Sequence, residues 1–189
     1  MNDIKAVVIG ASIGGMDALH SLLPKFKTDS YSLFVIQHIS AGLVERFVNQ
    51  LGRKCILEVE FGRDGAPVEA GKIYFPPGDN HMEVKIQDGA PVISLNKNPP
   101  VNFVRPSLDV LMKSVAETFK EHSVGVVLTG IGKDGAEGMM SIRKSGGETI
   151  AQDEATSVVF SMPRSAIFTR SVNKVLPLDQ IYEEIMACL

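Results

Sequence analysis

The chain has 189 residues, 44% hydrophobic and 22% charged, enough for one compact domain with a buried core and too few for a second unit of ordinary size. With 19 basic against 22 acidic residues, a net charge of -3, 3 Tyr and no Trp, it lacks the basic surface and stacking aromatics that nucleic-acid binding needs. No apolar stretch approaches the roughly 20 residues of a membrane-spanning helix, and Cys55 and Cys188 form neither a C-x-x-C pair nor a disulfide framework, so the expectation is a soluble, cytoplasmic protein with no signal peptide and no thiol or zinc chemistry.

Ile4–Ile9 is a β-branched run ending in glycine, and Met16, Leu19, Leu23 and Phe26 follow at helical spacing. Tyr31–Gln37 reads as a second strand, with Leu43, Phe47, Val48 and Leu51 lining one face of a second helix. Two β-α units in succession predict an α/β fold: a doubly wound, mostly parallel sheet flanked by helices. Between Leu57 and Asn98 the pattern changes to short segments, Lys72–Phe75, His81–Ile86 and Pro91–Leu95, punctuated by Pro76-Pro77-Gly78-Asp79-Asn80 and Asp88-Gly89. Asp-Gly between two such segments signals a hairpin, and the region is predicted to be an antiparallel insertion. A strong helical pattern follows, with Leu108, Leu111, Met112, Val115 and Phe119 on one face and Ser107 placed to cap it. Val124–Thr129 reads as a buried central strand, followed by a helix over Ala136–Lys144, a strand over Glu148–Gln152, a helix starting near Pro163, a strand around Val172–Leu176 and a last helix carrying Leu178, Ile181, Tyr182, Ile185 and Met186. There is no repeat, linker or low-complexity segment, and residues 1–189 are expected to form a single domain.

Three loops hold residues suited to chemistry. Gly10-Ala11-Ser12-Ile13-Gly14-Gly15 joins the first strand to the first helix with the G-x-S-x-G spacing of a nucleophile elbow. Its small residues let a serine sit on a tight turn, and the helix that follows aims N–H groups at developing negative charge. The same loop also suits a phosphate, and Ser12 also suits a plain helix N-cap. Of four histidines, His20 reads as part of a solvated helix face, His122 follows a helix and is explained by its dipole, and His81, just past a turn, is the runner-up as base, with a turn-edge or hairpin role as its first reading. His38 comes directly after the second strand, and so belongs at the same sheet edge as Ser12, where ligand crevices form in parallel sheets. Gly130-Ile131-Gly132-Lys133-Asp134-Gly135 again follows a strand and opens a helix. A carboxylate at Asp134 suits the orientation of a histidine. The order Ser, His, Asp differs from that of the α/β-hydrolases. Gly130, Gly132 and Gly135 also satisfy G-x-G-x-x-G, with Asp153 and Glu154 a little over 20 residues on, which is the spacing of a dinucleotide site. Asp134 beside a pyrophosphate is electrostatically unfavourable, and the position is late in the chain for that fingerprint; on the residues alone the two readings stand side by side.

Gly10–Gly15, Gln37-His38, Pro76-Pro-Gly-Asp-Asn-His81, Arg105-Pro-Ser-Leu-Asp-Val110, Leu128–Gly138 and Gln152–Arg164 together resemble, over nearly the whole chain, the catalytic domain of the chemotaxis protein-glutamate methylesterases, the CheB family. The resemblance implies a serine hydrolase that demethylates glutamate γ-methyl esters, and often deamidates glutamines, on the cytoplasmic helices of chemoreceptors. Carried over by motif, Ser12 is the nucleophile, His38 the general base and acid, Asp134 the residue that orients His38, and the backbone N–H groups of Ile13 and Ile131 the oxyanion donors. Neither cofactor nor metal is implied, and neither nucleic acid nor membrane insertion. The late glycines then allow close backbone approach to the reaction centre. Arg105 and Arg164 are candidates for contact with the acidic receptor bundle, and each equally suits pairing with a local carboxylate. The resemblance begins at the first strand, without the phosphorylatable receiver domain that family members typically carry, so either a stand-alone esterase, constitutively active or controlled by a separate partner, or a truncated chain is expected. Ser157 and Ser161 stand where the family pattern has cysteine and glycine, and Ile131 where methionine is common. A dinucleotide-binding protein and a catalytically idle receptor-binding module are the alternatives.

Overall fold

The computed structural model of the chain describes residues 4–27 and 30–189. Strand β1 (Lys5–Ala11) turns Val7, Ile9 and Ala11 to one apolar cluster and Ala6 and Val8 to another, as a strand covered on both faces must. Helix α1 (Gly15–Leu22) follows, then β2 (Tyr31–Gln37), which is buried throughout, and α2 (Ala41–Gly52). Met16 and Leu43, expected on the buried faces of these helices, are exposed; Ala18 and Val44 are buried instead. Four-residue strands β3 (Glu58–Phe61) and β4 (Lys72–Phe75) are followed by β5 (His81–Gln87) and β6 (Ala90–Asn96). Next come α3 (Leu108–Phe119), β7 (Ser123–Val127), α4 (Ala136–Lys144), β8 (Glu148–Gln152), α5 (Ser161–Phe168), β9 (Lys174–Leu176) and α6 (Leu178–Cys188).

Seven strands form one parallel sheet in the order β3-β4-β2-β1-β7-β8-β9, and β5 and β6 form a separate antiparallel hairpin. The doubly wound α/β architecture is therefore as expected, and so is the hairpin with its turn at Asp88-Gly89. β4 departs from the expectation: Lys72–Phe75 pairs in parallel with both β2 and β3 rather than joining the insertion. β3, which alternates glutamate with apolar residues at the sheet edge, carries too little signal to be read as a strand. No helix joins β3 to β4; the connecting loop instead bonds to the hairpin through Gly65 N–H and Val68 N–H, which donate to Ile93 and Pro91. One sheet face is covered by α1, α2 and α6. The other is covered by α3, α4, α5 and the hairpin. β1 lies between β2 and β7, where the winding reverses, so the loops after these three strands meet over one crevice.

Candidate active site

Ser12 follows β1 directly, and tertiary contacts shape its turn. Its N–H donates to Thr129 O at 3.0 Å, and its carbonyl accepts from Gly15 N at 2.8 Å and from Gln37 Nε2 at 2.8 Å. Gly14 is left-handed, with φ 78, and a Cβ there would stand 2.6 Å from Val158 Cβ, so only glycine lets the chain turn into α1 at this point. A Cβ on Gly130 would stand 2.7 Å from Ser12 Cβ, which explains how the loop after β7 comes so near the serine.

His38 follows β2, its N–H tied to Ala11 O at 3.0 Å, and it lines a cleft of about 220 Å³ with Ser12, Ile13, Gln37 and Asp17. Its Nε2 lies 3.0 Å from Asp134 Oδ2. That nitrogen is buried with no other partner, so the carboxylate fixes the ring with Nε2 protonated and leaves Nδ1 as the acceptor nitrogen.

Asp134 is buried beneath the first turn of α3. Its Oδ1 accepts from Ser107 Oγ at 2.7 Å, Asp109 N at 3.2 Å and Asn102 Nδ2 at 3.2 Å, and Oδ2 accepts from Leu108 N at 2.6 Å. Burial pushes its carboxyl upward, but the His38 ring, the Leu108 N–H and the Ser107 hydroxyl outweigh it and hold the group below its ordinary value. It is an anion placed where helix N–H groups and the dipole favour one. Ser107 caps α3 as expected, accepting from Val110 N at 3.4 Å, and it also holds the carboxylate, a second task its sequence position does not announce.

Two residues at this site were not expected. Asp109, in the first turn of α3, is buried and accepts from Gly135 N at 3.0 Å and Gly138 N at 2.7 Å, which caps α4. The acid of the α4 loop thus caps α3, while an acid of α3 caps α4. Asn102 stands between them in the left-handed region at φ 52, donating to Asp109 Oδ2 at 2.6 Å as well as to Asp134. Burial raises the Asp109 carboxyl, against the Gly138 hydrogen bond, and the Asp134 charge raises it further. Asn102 is a residue type that tolerates positive φ, and that is its only local signal.

Gly135 N–H and Gly138 N–H at the start of α4 are therefore occupied by the Asp109 side chain and are not free to hold a pyrophosphate. His81 is buried and structural, accepting from Ser107 N at 3.2 Å and reaching Pro99 O at 3.2 Å. His122 is largely exposed after α3. His20 differs from the solvated histidine expected, because it packs edge-on against Phe47 at 5.0 Å. Arg105 is engaged locally, with Asp79 and the carbonyls of Lys97 and Asn98, whereas Arg164 is exposed on α5. Ile13, Met16, Phe103, Ile131 and Val158 stand exposed on the loops and the helix start around the cleft. Among the described residues no cluster of metal-ligating side chains occurs and no helix is long and apolar enough to cross a membrane.

The family model of the CheB methylesterase matches residues 7–185. A protein-glutamate methylesterase/protein-glutamine glutaminase of Pyrococcus horikoshii is 44% identical over 182 residues, covering 96% of this chain and 50% of the relative. The protein of the same name in Bordetella parapertussis is 41% identical over 186 residues, covering 98% and 53%. The chain thus spans about half the length of the curated relatives it matches. The crystal structure of the Thermotoga maritima CheB methylesterase catalytic domain superposes with a TM-score of 0.95 at 35% identity, covering 98% of this chain and 99% of that one.

Proposed function

The chain belongs to the CheB methylesterase family, and on that premise we propose that it is a protein-glutamate methylesterase of a chemosensory pathway, acting through Ser12, His38 and Asp134, with deamidation of glutamine as its second reaction. The observation that carries this reading is the buried 3.0 Å contact of His38 Nε2 with Asp134 Oδ2 beside the cleft that Ser12 shares.

His38 Nδ1 takes the hydroxyl proton as Ser12 Oγ attacks the γ-carbonyl, and the ionised Asp134 stabilises the imidazolium that forms. The developing oxyanion is met by the N–H groups of Ile13 and Ile131, neither of which donates to a carbonyl among the described residues. His38 then returns its proton to the departing methoxide, so methanol leaves and a glutamyl ester of Ser12 remains. A water attacks that ester with His38 again as base, freeing the glutamate carboxylate and restoring the serine. With glutamine as substrate, ammonia leaves in place of methanol.

A methyl ester offers little surface to grip, so selectivity falls to the helix that bears it. The exposed Ile13, Met16, Phe103, Ile131 and Val158 around the cleft support docking on the cytoplasmic helices of a methyl-accepting chemoreceptor. Of the two arginines weighed for contact with an acidic bundle, Arg164 is exposed, while Arg105 is engaged with Asp79. Methanol release from methylated chemoreceptor membranes tests the reading: the wild-type protein releases it and Ser12→Ala loses it by up to about a million-fold. Release that survives Ser12→Ala overturns the assignment.

A further inference from the structure

We infer that Gln37 is a positioning residue of the oxyanion hole, holding the Ser12–Ile13 peptide so that Ile13 N–H faces the cleft. The inference rests on the esterase reading above and adds a residue and a role to it.

A trans peptide is planar, so its C=O and N–H point in opposite directions. Fixing the Ser12 carbonyl therefore fixes the Ile13 N–H. That carbonyl accepts from two donors, Gly15 N at 2.8 Å and Gln37 Nε2 at 2.8 Å. Gly15 N belongs to the turn itself, so Gln37 supplies the hold from outside it, reaching across from the end of β2. The next peptide is held as well, since the Ile13 carbonyl accepts from Thr129 Oγ1 at 2.9 Å. Both carbonyls flanking Ile13 are tied inward, and its N–H is left without a carbonyl partner among the described residues.

The Gln37 side chain is costly where it stands. It is only 3% exposed, and its Oε1 is buried with no hydrogen-bond partner. The reverse amide orientation would set Oε1 against the Ser12 carbonyl, so Nε2 is the atom that faces it. An apolar residue of similar length fills this space without burying an unsatisfied acceptor. A half-satisfied amide is justified here by the one bond it makes. A Cβ at Gly15 would meet Oε1 at 2.2 Å, so the turn is shaped to admit this side chain.

The test is the rate at which a fluorophosphonate phosphonylates Ser12, where the Oγ–P bond forms and fluoride leaves, together with the inhibition constant of a boronic acid, whose tetrahedral adduct places an oxyanion in the hole. Removing a whole oxyanion donor costs about 100- to 1000-fold in kcat. Gln37→Met, which keeps the donor but releases its orientation, is expected to slow labelling about tenfold or more and to weaken the boronic acid by the same factor, while every folded molecule is still labelled. A merely structural defect instead lowers the fraction of molecules labelled and leaves the rate of the rest unchanged. Gln37→Glu, whose carboxylate repels the Ser12 carbonyl, is the second variant, and is expected to slow labelling at least as much. Wild-type rates per labelled molecule in both variants overturn the inference while leaving the esterase standing. Failure of the wild-type protein to label at Ser12 overturns both.

Discussion

Asp134 shows how much of the site depends on a single carboxylate. It accepts from the Leu108 and Asp109 N–H groups and the Ser107 hydroxyl while its Oδ2 faces His38. Asp134→Asn turns an amide where an acceptor is needed, against either the His38 ring or the α3 N–H groups. Methanol release is expected to fall about ten-thousand-fold, with circular dichroism confirming that the variant still folds; a variant as active as wild type removes Asp134 from its role. The cysteines give the complementary expectation. Burial pushes both Cys55 and Cys188 up to about 11, so at pH 8 only about a thousandth of each is thiolate. Iodoacetamide should label them slowly and leave ester hydrolysis intact, and rapid loss of activity on alkylation would point to a thiol in the reaction. That Ser12 and His38 share one crevice was legible because each directly follows a strand, and the approach of Asp134 was legible because its loop leads from β7 into α4, where a motif has a known direction. Asn102, Asp109 and Gln37 were not, because their work is done across distances in the chain that no local pattern records.

At the scale of elements, α3 and α4 are joined by exchange of caps: Asp134 serves the first helix and Asp109 the second. Asp109→Ala leaves Gly135 N–H and Gly138 N–H without their acceptor and is expected to cost about 1–3 kcal/mol. In a chain of this length that lowers the melting temperature by about 2–4 °C for each kcal/mol, and an unchanged melt would refute the cap. The amphipathic face of α3 was readable residue by residue, and Leu108, Leu111, Met112, Val115 and Phe119 are all buried. β3 is not singled out by its sequence, and Lys72–Phe75 reads as a short segment of the insertion rather than as a strand of the parallel sheet, for an opposite reason. Each is four residues long, and their partners lie in the parallel sheet, a preference carried by neighbouring strands and not by the segments themselves.

For the whole molecule, pH acts through the two carboxylates in opposite senses. Asp134 is held below the ordinary 3.8, so the stability it adds is complete above that value and is lost as pH falls through its lowered one. Asp109 is raised above 3.8, so its burial penalty is present at neutral pH and is relieved as it takes up a proton. In acid titration followed by circular dichroism, Asp109→Asn should therefore lose the second effect and keep the first. Its stability relative to wild type is greatest at neutral pH and declines as the pH is lowered through the raised value; a constant difference at every pH would contradict the assignment.

The exchange of caps also governs when the protein becomes competent. Ser12 and His38 both lie within the first 40 residues, in the loops after the first two strands, but Asp134 is anchored only when α3 has docked beside α4. On the proposed mechanism, a chain in which α3 has not yet docked holds Ser12 beside an unanchored imidazole and hydrolyses esters slowly. Reactivity arrives together with the finished tertiary structure, so the recovery of hydrolysis during refolding should follow the same time course as the last spectroscopic phase.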